Sequence, residues 1–151
     1  MKRIVFLLCA FVAFPISSAW ADAAGGAAGH LKRVEGSVWI VRGTSRTAAQ
    51  LGAAVLEHDV IETDASGQAG ITFNDNTQVS LGPKSHFTVE GYKYDANTTK
   101  GNFLAKLKRG TLFVASGDIT HNNPGAMQVQ TPRAVAAVRG THFLVKVPEN
   151  E

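Results

Sequence analysis

The stretch Gln128-Val-Gln-Thr-Pro-Arg-Ala-Val-Ala-Ala-Val-Arg-Gly-Thr-His-Phe-Leu-Val-Lys-Val147 holds two apolar runs, a Thr-Pro break and an Arg-Gly-Thr corner. It reads as β structure turning tightly on itself, because Pro and Gly punctuate the runs where a chain must change direction. An earlier stretch, Val60-Ile-Glu-Thr-Asp-Ala-Ser-Gly-Gln-Ala-Gly-Ile-Thr-Phe73, reads as a degenerate copy.

Outward from these stretches the dominant period is two. Val34, Val38 and Ile40 alternate with polar or small residues, as do Ala69, Ile71 and Phe73, then Val79 and Leu81. Phe87, Val89 and Tyr92 continue the pattern, followed by Phe103, Ala105 and Leu107, then Leu112 and Val114, then Phe143, Val145 and Val147. Successive side chains of a strand point to opposite faces, so this alternation predicts half-buried strands. Asn74-Asp-Asn-Thr77 is a hairpin candidate, with Asn76 in the left-handed position that Gly usually fills. The one helix-like window is Ser45–Glu57, Ala-rich and interrupted by Gly52, and one short turn or helix is expected there. The expected class is all-β: one domain of short, antiparallel-rich strands in a sandwich or rolled sheet.

Two halves can be superposed in sequence. Val34–Val41 matches Lys108–Ala115 with Gly36 over Gly110, and Val60–Thr63 matches Gln128–Thr131. A pseudo-repeat paired about an approximate two-fold is one reading. Chance likeness between common strand formers is the other.

The chain opens with Met1-Lys2-Arg3, an apolar run from Ile4 to Ile16, and Ala19-Trp20-Ala21. These are the three parts of an exported protein's signal peptide, with cleavage expected after Ala21. The apolar run is short against the roughly 20 residues of a spanning helix. Cys9 follows Leu8 inside that run, so it reads as signal-peptide filler and not as a lipoprotein site. Residues 22–30 read as a flexible Ala/Gly-rich leader, and residues 31–148 as the folded domain. Removing 21 of 151 residues leaves 130 without cysteine, which excludes disulfides and thiolate chemistry in the exported form. The formal charge of +3 falls to +1, because Lys2 and Arg3 leave with the signal. No Lys/Arg tract extends beyond Lys106-Leu-Lys-Arg109, so nucleic acid is not an expected partner. No later apolar run reaches spanning length, so no membrane span is expected in the exported chain.

The order of motifs resembles the periplasmic domain of FecR-like proteins, named for the ferric-citrate regulator. The matching segments are Gly36-Ser-Val38, Gly52-Ala-Ala-Val55 and Asp59-Val-Ile-Glu-Thr63, then Ser66-Gly-Gln-Ala69 and Phe73-Asn-Asp-Asn-Thr77. Lys106-Leu-Lys-Arg-Gly-Thr-Leu112, Thr131-Pro132 and Val138-Arg-Gly-Thr-His-Phe143 close the series. Asn76 stands where the family turn has Gly, and Val55 where it has Leu. The resemblance implies a periplasmic β domain with a signalling role. The regulator proper is implied to carry a cytoplasmic anti-sigma segment and a membrane helix. Neither is recognisable here, so a stand-alone secreted form is expected.

Catalytic chemistry finds no pattern. A Gly-x-Ser-x-Gly elbow is absent, and Ser66, Thr63 and Asp75 read as turn residues. His30, His58, His86, His121 and His142 lack the close spacing of a zinc motif and read as scattered surface residues. Glu57, Asp59, Glu62 and Asp64 lack the regular array of a calcium loop and read as a solvated loop edge. No cofactor and no metal are expected. Asn97-Thr98-Thr99 reads as a polar hairpin tip. Trp39, Phe73, Phe103 and Phe113 read as core more readily than as a ligand pocket, with Trp39 alone out of phase. Arg133 and Arg139 are the candidate partner- or ligand-binding residues, because an Arg fork suits carboxylates. The plainer reading ties them to a corner. The expected function is non-enzymatic: a binding or signalling-accessory module contacting another protein of the envelope. A small-molecule receptor and a structural envelope protein are the alternatives.

Overall fold

The computed structural model describes residues 26–139 and 142–149. The expected signal peptide and the Gly140-Thr141 corner lie outside them. Among the described residues twelve strands form one curled, antiparallel-rich sheet, a half-barrel around a single core. They are β1 (Gly29–Glu35), β2 (Val38–Arg42), β3 (Ser45–Ala48), β4 (Ala54–Val55), β5 (Val60–Thr63) and β6 (Gln68–Phe73). Then come β7 (Gln78–Leu81), β8 (His86–Asp95), β9 (Lys100–Ala115), β10 (Met127–Gln130), β11 (Val135–Ala137) and β12 (His142–Val147). The rolled-sheet form of the expected class is the one adopted.

One half of the sheet contains β4, β1, β6, β7, the end of β9 and β12. The other contains β3, β2, β5, β8, the start of β9, β10 and β11. The tight corners at which the chain passes between the halves include Gly36-Ser37, Asp64–Gly67, Gly82–Ser85 and Arg109-Gly110. Gly36 and Gly110 take φ of +63° and +97°, which only Gly adopts without strain.

Hydroxyls weld the corners together. Thr63 Oγ1 donates to the Gly82 carbonyl and accepts from the Ser85 amide, at 2.8 Å each. Ser85 Oγ donates to the same carbonyl at 2.8 Å and accepts from the Thr111 amide at 3.1 Å. The bend thus keeps its buried polar groups bonded where the ladder breaks.

Alternation survives in the burial. Ala69, Ile71, Phe73, Val79, Leu81, Phe103, Ala105 and Leu107 all face the core. The odd step from Val89 to Tyr92 has a cause: the β8–β9 register shifts between Val89 and Gly91, and this bulge returns Tyr92 to the inner face. Phe73, Tyr92 and Phe103 then meet with ring centroids 4.5–5.4 Å apart.

Several expectations need correction. Of the one short turn or helix expected in Ser45–Glu57, the turn is present at Leu51-Gly52, but the window holds no helix and its flanks form β3 and β4. Short strands with Gly52 at φ +82° use the bonds to Leu31 and Val38 that a helix would satisfy internally. The one helix among the described residues is α1 (Asp118–Asn122), of five residues. The fold starts inside the expected leader, since Ala28 is buried and β1 begins at Gly29. A Cβ on Gly29 would approach the Thr72 carbonyl oxygen to 2.5 Å, so the strand needs Gly there. The two halves are not copies in topology. β5 is antiparallel to β2, whereas β10 is parallel to β9. The likeness is local: Gly36 and Gly110 are both left-handed, and Val38–Val41 and Leu112–Ala115 are strands with alternating burial. The hairpin expectation stands: Asn76 has φ +64° between β6 and β7.

Candidate functional site

The polar residues of the internal motifs are occupied by architecture. Asp59 is fully buried, and its two oxygens accept from Arg42 Nε and Nη2 at 2.7 Å each, while Oδ2 also accepts from the Leu56 amide at 2.8 Å. The carboxylate raises the Arg42 pKa, chiefly through these hydrogen bonds. Asp59 therefore does not belong to a solvated acidic edge. Glu62 accepts from Arg46 at 3.0 Å and faces His86 Nδ1 at 3.3 Å, and Asp64 Oδ1 accepts from the Ser66 amide and hydroxyl.

Asp75 lies in a second buried network. Tyr92 Oη donates to Asp75 Oδ1 at 3.0 Å and accepts from the Asp75 amide at 2.9 Å. Thr77 Oγ1 donates to Asp75 Oδ2 at 2.6 Å and accepts from the Gly117 amide at 3.1 Å. Burial, then the nearby carboxylate, push the Tyr92 phenol far above its ordinary value. Tyr94 Oη donates to Asp118 at 2.9 Å, which attaches α1 to β8. The Thr63, Ser66 and Asp75 read as turn residues are thus hydrogen-bonded within turns and corners.

The histidines are dispersed, and no group of three metal-ligating side chains occurs among the described residues. His86 departs from the surface reading. It is half-buried against Glu62, and desolvation lowers its pKa; Glu62 raises it, while Arg109 and Lys108 lower it further. Phe73 and Phe103 are core, as expected, but Phe113 is 41% exposed, so Trp39 is not alone out of phase. The Arg46 guanidinium stacks on Trp39 at 3.9 Å.

The closing segment is different in kind. β11 bonds β10 and β12 bonds β9, each along one edge among the described residues. β3 and β4 likewise bond along one edge, but between the segment entering β11 and the end of β12 the half-barrel is open along a seam. A cleft of about 270 Å3 follows it, lined by Pro132, Arg133, Ala134, Ala136, Lys146 and neighbouring β12 valines. Val135 and Leu144 are 61% and 63% exposed, and Phe113 lies directly across from Leu144 in the ladder. Large apolar side chains gathered at an open edge mark interaction surfaces. Arg133 and Arg139 are both exposed on this segment, Arg133 lining the cleft and Arg139 at the exit of β11. Val135 and Leu144 were not singled out in the sequence, and Phe113 was read there as core. The signal for Phe113 and Leu144 is the triplets Leu112-Phe113-Val114 and Phe143-Leu144-Val145, apolar on both faces as Val38-Trp-Ile-Val41 also is.

A half-barrel with welded corners and an open seam makes this an all-β domain. The pattern of the family described as FecR protein matches residues 59–151, and the chain belongs to that family, a regulatory and signalling one. No curated protein and no solved structure matches the chain. The matched span runs from Asp59 through the closing segment, so it includes the Asp64–Gly67, Gly82–Ser85 and Arg109-Gly110 corners and the seam, and leaves out the Gly36-Ser37 corner. No helix among the described residues is long and apolar enough to cross a membrane.

Proposed function

We propose that this chain is a non-enzymatic periplasmic module that acts by contacting another protein of the cell envelope. The observation that carries the reading is the seam: Val135, Leu144 and Phe113 stand exposed beside two unextended strand edges. Burying such residues against a partner gains the hydrophobic free energy that water exposure forfeits. Free strand edges supply main-chain hydrogen bonds to the same partner. The regulatory character of the family supports the reading, and the basic, apolar, Ala-x-Ala start of the chain supports export with cleavage after Ala21. In the exported form residues 22–26 join that site to the fold, and Arg133 and Arg139 flank the contact.

Affinity capture from the native envelope tests this. The exported protein should recover one envelope protein repeatedly, and a Phe113→Ser/Leu144→Ser variant of equal stability should not. Equal recovery by both forms, or recovery of nothing by either, contradicts the reading. Intact mass of the exported chain should correspond to a start at Asp22; a mass retaining Met1–Ala21 would contradict the export step.

A further inference from the structure

The open edge of β12 carries a charge pattern as well as an apolar one. Between Asp118 and Glu149 the chain holds no acidic residue, while Arg133, Arg139 and Lys146 all fall in this interval. Arg139 stands shortly before the start of β12, and Lys146 near its end, across the cleft from Arg133. Glu149, the next acid, is engaged by Lys84 at 2.7 Å, which holds its pKa below the usual range. On the outer face Leu144 and Phe113 adjoin, and the Phe113 ring stacks on His142 with centroids 6.0 Å apart.

We propose, on the reading that the seam is a protein contact, that β12 accepts an extended, carboxylate-bearing segment of a partner protein as an added strand. The segment's backbone bonds the free edge of β12, as in other strand additions. Alternate side chains fall on Leu144 and Phe113 outside and on Val145 and Ala136 inside the cleft. Its carboxylates meet Lys146 and Arg133 at one end and Arg139 at the other, and the added strand closes the seam. A second copy of this chain is the poorer occupant. Edge-to-edge pairing of two β12 strands would bring like cations together, which costs free energy at an interface.

The test selects peptides of roughly ten residues, the length of a long strand, from a random display library on the exported full chain. Selected peptides are then measured by fluorescence anisotropy and amide hydrogen exchange. They should alternate apolar and acidic residues and slow exchange in β12. They should bind roughly tenfold more weakly to an Arg139→Glu/Lys146→Glu variant, and changing their acids to lysine should restore binding to that variant. Both positions are exposed, and an unchanged melting temperature verifies that the variant is folded. Selected peptides without carboxylates, protection of another strand, or no selected binder overturns the proposal. So does a dimer of the chain that protects β12 with no peptide present. If envelope capture still depends on Phe113 and Leu144, the broader reading survives each of these failures; loss of that capture removes both.

Discussion

Arg42 holds Asp59 by both oxygens, through two bonds of 2.7 Å that join β2 to the head of β5. The carboxylate is fully buried and the guanidinium side chain is about half exposed, at 49%. Such a pair is asymmetric. Removing the cation strands a buried anion, whereas the pair itself adds little net stability. Arg42→Ala should therefore cost about 3 kcal/mol in urea unfolding. Arg42→Lys keeps the charge, loses the fork, and should cost less. A cost for Arg42→Ala no larger than that of an ordinary surface change would contradict this role.

Tyr92→Phe removes one hydroxyl that both donates to Asp75 Oδ1 and accepts from the Asp75 amide. The Asp75 amide then has no partner in a buried turn. The expected loss is about 1–3 kcal/mol, read as a lower urea midpoint at unchanged slope. Tyr94→Phe removes one of two donors to a less buried Asp118 oxygen, which Asn76 Nδ2 still reaches at 3.2 Å, and should cost less. Equal effects would contradict the distinction.

Gly110 and Gly43 both have positive φ, yet only Gly110 is crowded. A Cβ on Gly110 would collide with Ser85 Oγ and Cα, and on Gly43 it would meet nothing within 4 Å. Gly43→Ala should cost about 1 kcal/mol from backbone strain. Gly110→Ala should cost several times more or prevent folding, because the β9 corner must shift. Similar melting temperatures for the two variants would refute the corner account.

His86 makes stability depend on pH in a definite window. Its pKa is lowered from the ordinary 6.5 by burial, so the unfolded chain binds a proton first. Stability contributed by the neutral imidazole is present above 6.5 and is lost as pH falls below it. Glu62 opposes the shift, and Arg109 and Lys108 reinforce it. The melting temperature should fall between pH 6.5 and 5, and less in His86→Gln. Tyr92 acts at the other end: its raised pKa is fully stabilising below 10 and is lost as pH rises above that value. An identical acid-side fall in His86→Gln would remove His86 from the account.

Much of the fold was legible because a strand's period is imposed by burial. Ile71, Phe73, Phe103 and Leu107 alternate since one face of each strand meets the core. Asn76 was legible because a two-strand turn demands a left-handed residue. Ser45–Glu57 was misread because Ala favours helix locally, while pairing with β2 and β1 decides the matter over a distance. The parallel placement of β10 leaves no local trace. Arg42 was invisible as the partner of Asp59 because their contact spans 17 residues and two strands. At the seam, Arg133 and Arg139 were legible as charges. The exposure of Phe113 and Leu144 depends on which strands lack a neighbour, and that is a property of the sheet.

The most direct test places a photoreactive residue at Leu144 of β12, and separately at Thr47 of β3, in the full chain in its own cells. Both positions are exposed, but only Leu144 lies at the seam. The account predicts one discrete adduct with an envelope protein from position 144 and none from position 47. Adducts from position 47 with none from position 144 would contradict it.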